Sequence, residues 1–179
     1  MKNMIVKELL KTDYEGYVLD FTYESDAYYD VIVSSSKHQI DISLIKKQFD
    51  QPVKKQFTGH LFEPYYEHAK AWGIFDEDIL CGVVEINHEE WNKRLRITEL
   101  LVLEEYRNQG IGIKLMQQVF DYFEQTEYRA ICLETQSCNS KAIAFYQKVG
   151  FELIGFDTIC YSNDDINKKE VRLEFGRTK

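Results

Sequence analysis

The segment Leu103-Glu104-Glu105-Tyr106-Arg107-Asn108-Gln109-Gly110-Ile111-Gly112 carries the residue types that hold an anion. Gly110 and Gly112 remove the side chains that would keep a ligand away from the main chain. A helix starting at Ile111 presents unpaired first-turn N–H groups, and its dipole adds about half a positive charge. Arg107 adds a full one. The pattern is neither the GxGxxG of a dinucleotide fold nor GxxxxGK[ST]. Taken alone, it also reads as a tight strand-to-helix turn with an incidental arginine. Cys138, in Glu134-Thr135-Gln136-Ser137-Cys138-Asn139, invites a nucleophile, but no histidine stands near it in sequence. His38, His60, His68 and His88 lack metal-ligand spacing, so no metal is expected. Cys81, Cys132, Cys138 and Cys160 contain no CxxC pair and read as free buried thiols of a cytoplasmic protein.

The elements that position these residues follow from periodicity. Met4 to Leu9 alternates like a strand, and Asp13 to Tyr23 reads as a helix anchored by Tyr14, Tyr17 and Phe21. Val31–Val33 and Ile40–Leu44 read as two short strands around a polar turn, SSSKHQ. A meander follows: Ala71–Phe75, a turn at Asp76-Glu77-Asp78, Ile79–Ile86, a polar loop over 89–93, and Leu95–Leu103. From Ile111 the apolar residues Leu115, Val119, Tyr122 and Phe123 recur at helical spacing. Ala130–Leu133 is a buried strand, and Ala142, Phe145 and Val149 mark a second helix capped by Gly150. Phe151–Ile159 and Val171–Phe175 close the chain as strands. This order predicts one α/β domain with a mixed sheet and a parallel crossover near its middle.

The chain has 179 residues, enough for one domain, and a net charge of −8. That charge argues against nucleic acid and against an anionic membrane surface. It admits a cationic small molecule or basic peptide, and equally a plain solubility role. Hydrophobic residues at 44% supply a full core, no apolar run suits a membrane span, and the N-terminus lacks a signal-peptide core.

The spacing Arg107-x-x-Gly110-x-Gly112 after Leu101-Val102-Leu103 resembles the pyrophosphate loop of the GNAT acetyltransferase superfamily. Asn139-Ser140-Lys141-Ala142-Ile143-Ala144-Phe145-Tyr146-Gln147-Lys148-Val149-Gly150-Phe151 resembles its second conserved block. The resemblance implies the GNAT fold: a mostly antiparallel mixed sheet with a splayed parallel strand pair, flanked by helices. It implies one domain over 1–179, with the coenzyme-binding core over 70–160 and a less specific part over 1–50. It implies acetyl-CoA as cosubstrate. Arg107, Asn108, Gln109, Gly110, Ile111 and Gly112 would hold its pyrophosphate, Leu101, Val102 and Leu103 its pantetheine arm, and Asn139 that arm or its own helix. A bulge near the splay would aim a main-chain amide at the thioester oxygen.

Acetylating an amine requires a neutral nucleophile, while a lysine-like amine has a pKa of about 10.4. One proton must leave the amine and one must reach the departing thiolate. Tyr146 occupies the family position beside the sulfur and is the expected acid. Glu99, on one strand face with Leu101, is the expected base, or else an attractor of a cationic acceptor. Further blocks around Ala71-Trp72-Gly73, 90–97, 133–139 and 150–175 together resemble the streptothricin acetyltransferases, which acetylate a cationic antibiotic and confer resistance. On that resemblance Glu85, Glu99, Trp91, Asp157, Tyr161 and Asp164, with Trp72 and Asp165 beside them, would meet the acceptor. Trp72 also reads as core, and Ser162-Asn163-Asp164-Asp165 as turn chemistry. A protein amine as acceptor, a non-catalytic coenzyme A-binding module and a homodimer stay open.

Overall fold

A computed structural model describes residues 4–179. Two compact units divide the chain. The first comprises the residues up to Phe21, Phe57–Leu133 and Arg177–Lys179; the second comprises Thr22–Gln56 and Glu134–Gly176.

In the first unit β1 (Val6–Leu9) precedes a single helical turn, α1 (Lys11–Tyr14). The meander is β4 (Lys70–Asp76), β5 (Ile79–Glu89) and β6 (Arg94–Val102). A 3-10 turn, Glu104–Tyr106, leads to α2 (Ile111–Glu124), which crosses over to β7 (Ala130–Gln136). The hydrogen-bonded order is β1-β4-β5-β6-β7. Pairing is antiparallel as far as β6, while β6 and β7 run parallel. The parallel crossover and the mixed sheet are as the sequence predicts. Ile111, Leu115, Met116, Val119 and Phe123 give α2 a buried stripe against one sheet face. The other face packs Leu9, Ala71, Val83 and Leu101 with Leu19, Leu61 and Phe62.

The second unit holds most of a long ribbon, β2 (Val18–Ser35) and β3 (Ile40–His60). It also holds the end of β7, then α3 (Ser140–Lys148), β8 (Glu152–Asp157), α4 (Asp165–Lys168) and β9 (Arg172–Thr178). β8 and β9 pair antiparallel. The Tyr29 N–H donates to the Ser137 carbonyl at 2.9 Å, and the Ser25 and Ser140 hydroxyls meet at 2.8 Å. Tyr146 meets Phe151 edge-on and Phe175 at a tilt in this unit's core.

Two expectations need correction. Asp13–Tyr23 is not a helix: α1 ends at Tyr14, Gly16 turns the chain at φ +74°, and Val18 opens β2. The aromatic spacing that suggests a helix instead places Tyr14 and Tyr17 rings 5.8 Å apart across the turn. The two short strands are parts of two long ones. Acidic residues such as Asp30 interrupt the apolar pattern, yet Asp30 is held by two lysines, Lys47 at 2.6 Å and Lys169 at 3.0 Å. A two-stranded ribbon leaves alternate N–H groups unpaired, which is how β3 accommodates Pro52. Cys81, Cys132 and Cys138 are buried free thiols, whereas Cys160, in the loop after β8, is exposed. No helix among the described residues is long and apolar enough to cross a membrane.

Candidate active site

The anion-holding turn forms where β6 ends. Arg107 donates from Nε to the Val102 carbonyl at 3.1 Å, bracing the turn against the strand. Asn108 and Gly110 both adopt left-handed backbone, at φ +62° and +81°. A Cβ on Gly110 would meet nothing within 4 Å, so its dihedral angle and not crowding calls for glycine. Residues in this conformation curl N–H groups about a common point. Gly110 is the N-cap of α2 and has no capping side chain. The Lys114 N–H bonds the Gly110 carbonyl at 3.1 Å and opens the helical ladder. The N–H groups of Ile111, Gly112 and Ile113 therefore precede that ladder. The Gln109 side chain ties back to the Glu105 carbonyl at 2.9 Å. The residues present thus fit a diphosphate, which needs converging main-chain donors and local positive charge.

β6 supplies an open edge beside the turn. It pairs with β7 only from Arg94↔Ala130 to Arg96↔Cys132, then continues to Val102. The Leu103 N–H donates to the Cys81 carbonyl on β5 at 2.9 Å. By alternation the main-chain groups of Leu101 also face β5, and those of Leu100 and Val102 face the open edge. Of Leu101, Val102 and Leu103, expected to bond an extended ligand arm, only Val102 turns its main-chain groups to the open edge, and Leu100 turns its own there too.

A one-residue bulge sets the carboxylates. Glu85 pairs with Glu99 and Ile86 with Ile97, leaving Thr98 extra on β6. Without it Glu99 would share the α2 face with Leu95 and Ile97. The shift moves Glu99 and Leu101 together onto the face of Glu85. Glu85 is fully buried, so it is not the exposed acceptor wall that its charge suggests. Its Oε2 accepts from the Phe62 N–H at 2.6 Å and its Oε1 from the Thr98 hydroxyl at 2.7 Å. Burial holds the Glu85 carboxyl above the ordinary range, against the pull of those two donors. The folded chain therefore holds this proton more tightly than the unfolded chain does. That contribution to stability is complete below the ordinary carboxylate value of about 4.3 and is lost as pH rises through the raised folded value. Glu85→Gln should flatten this pH dependence. Glu85→Ala should lower the unfolding free energy by at least about 2 kcal/mol, because two buried donors lose their acceptor. Urea unfolding across that pH range measures both effects.

In the second unit, Asn139 caps α3, accepting from the Ala142 N–H at 3.3 Å. Tyr146 lies on α3 with its ring among Phe145, Phe151 and Phe175. Cys138 is buried beside the Tyr23 hydroxyl at 3.3 Å, and burial pushes its thiol up, the wrong direction for a nucleophile. Tyr23, which the sequence reading does not single out, donates to Gln136 at 2.7 Å. Tyr161 reaches Glu134 at 3.4 Å, and Glu134 pairs with Arg172 at 2.6 Å. Asp157 accepts from the Ile159 N–H and Asp164 from Asn167, so both hold local turns. Asp165 is buried and bonds Ser162 and the Tyr161 N–H, the expected turn chemistry. Trp72 is core, in ring contact with Tyr122. Trp91 is 86% exposed on the β5–β6 turn, at the opposite end of β6 from Arg107.

Residues 41–151 match the Acetyltransferase (GNAT) family. Streptothricin acetyltransferase A of Bacillus subtilis (strain 168) is 29% identical over 121 residues, 66% of this chain and 69% of that protein. N-alpha-acetyltransferase 30 of Schizosaccharomyces pombe is 30% identical over 125 residues, 68% of this chain and 82% of that protein. A Bacillus anthracis str. Ames protein, solved in complex with acetyl coenzyme A, shares the fold. Its TM-score is 0.75 at 22% identity, over 99% of this chain and 98% of that one. The family match covers the meander, the turn at Arg107–Gly112 and α3, and the chain belongs to the GNAT family of acetyltransferases.

Proposed function

We propose that this N-acetyltransferase uses acetyl-CoA to acetylate a primary amine of a cationic small molecule, with streptothricin as the acceptor. The observation that carries the reading is the left-handed turn at Gly110, set at the end of a strand whose bulge turns Glu99 to one face. The likeness to Streptothricin acetyltransferase A names the acceptor. Gln109, Gly110, Ile111 and Gly112 hold the diphosphate with their N–H groups, and Arg107 adds charge and fixes the turn. Leu100 and Val102 offer main-chain partners along the open edge of β6. Glu99 takes a proton from the acceptor ammonium, directly or through one water, so that the neutral nitrogen attacks. Tyr146 returns a proton to the departing sulfur. The acetyl group moves directly to nitrogen, and Cys138 takes no part. Tyr161, Asp157 and Asp164 add polar and negative surface for a cationic acceptor.

The likeness to N-alpha-acetyltransferase 30 favours a second reading, an N-terminal protein amine. Thiol release measured with streptothricin, an aminoglycoside and a peptide with a free N-terminus separates the two. Streptothricin should give the highest kcat/KM, and turnover with the peptide alone would overturn the assignment. Gly110→Val should raise KM for acetyl-CoA about tenfold or more with a smaller change in kcat. A β-branched residue at φ +81° costs at least about 1–2 kcal/mol or forces the turn to move. Titration of the variant with acetyl-CoA measures it.

A further inference from the structure

We infer that Glu85 is a positioning residue for the acceptor-side chemistry, because it bonds both the bulge that directs Glu99 and the chain leaving β3, whose Gly59 lies against the Glu99 carboxylate. The inference builds on the reading of Glu99 as the base.

Both restraints end on one buried carboxylate. The first is the bulge. Thr98 is the extra residue of β6, and its hydroxyl donates to Glu85 Oε1. Without the bulge Glu99 would point to the α2 face. The second is the chain leaving β3. Phe62 is fully buried at φ +57°, a conformation costly for a bulky residue, and its N–H donates to Glu85 Oε2. Three residues before Phe62, at the end of β3, Gly59 lies beside Glu99. A Cβ built on Gly59 would lie 2.8 Å from Glu99 Oε1 and 3.0 Å from Oε2. The carboxylate therefore rests on bare backbone, and any side chain at 59 would displace it.

Glu85 and Glu99 also stand directly opposite on antiparallel strands, where two like charges repel. The groups facing this pair come from three elements. Glu63, His60 and Tyr65 come from β3's end and the loop beyond it, with His60 paired to Glu63 at 3.2 Å. Lys11 comes from α1. β4 presents only Ala71 opposite Glu85. A negative Glu85 makes ionisation of its neighbour harder, so Glu85 affects both the aim and the titration of the base.

The test compares four variants by kcat, KM for each substrate and the pH profile of kcat/KM. Glu85→Ala should lower kcat about tenfold or more while KM for acetyl-CoA stays within about twofold. Glu85→Gln keeps an acceptor for Phe62 and a partner for Thr98, so it should recover most of that loss. It should also move the acidic limb of the profile to lower pH. Gly59→Ala displaces the Glu99 carboxylate without touching Glu85 and should lower kcat about tenfold, which keeps the test decisive should Glu85→Ala fold poorly. Glu99→Gln is the reference. If Glu99→Gln turns over like the parent protein, the base assignment fails. If Glu99→Gln is crippled but Gly59→Ala and Glu85→Ala leave kcat unmoved, the positioning role is overturned.

Discussion

Replacing Tyr146 with phenylalanine should lower kcat about a hundredfold or more and leave KM for acetyl-CoA nearly unchanged. The departing thiolate of the cosubstrate needs a proton, and a positioned general acid contributes roughly 10²–10⁴-fold. The variant removes one oxygen and keeps the ring, which packs on Phe145, Phe151 and Phe175. The fold and the diphosphate turn should therefore survive, so a loss confined to kcat points to the hydroxyl and not to packing. Steady-state thiol release, with thermal unfolding as control, measures it. An unchanged kcat would remove Tyr146 as the acid.

Glu99→Gln should have an effect of similar size with a different signature. The amide cannot take a proton, so kcat/KM should fall about a hundredfold or more near neutral pH. The deficit should shrink at high pH, where more of the acceptor amine is already neutral, with a free-amine pKa of about 10.4. Glutamine matches glutamate in shape and still fits over Gly59, so the fold should not suffer. If the residue only attracts a cationic acceptor, the variant raises KM for the amine and spares kcat. The pH profile with saturating acetyl-CoA distinguishes the two outcomes.

Much of this site is legible in the sequence because its chemistry is local. The turn at Arg107–Gly112 announces itself through two glycines spaced for close approach, just where an alternating pattern gives way to a helical one. The cap at Asn139 is local in the same way. What escapes sequence reading depends on register and tertiary contact. No residue type marks the bulge at Thr98, yet it decides which face Glu99 occupies. Glu85 reads as a surface acid because nothing in its neighbours shows that Phe62 and Thr98 will donate to it in the core. Gly59 in a strand is a usable signal of close approach, although its partner lies forty residues away in the chain. The ribbon is hidden because Asp30 and Lys47, which pair across it, obscure the apolar alternation. Trp91 shows the opposite failure: an aromatic that looks like a binding residue, set at the far end of its strand from the diphosphate turn.

In the proposed reaction an acetyl group moves from acetyl-CoA directly to an amine of streptothricin. Mass spectrometry of a single-turnover mixture of protein, acetyl-CoA and streptothricin tests it most directly. Streptothricin should carry one acetyl group on an amine, beside one equivalent of free coenzyme A and protein of unchanged mass at every time point. Unmodified streptothricin beside intact acetyl-CoA, or an acetylated protein formed before product, would contradict it.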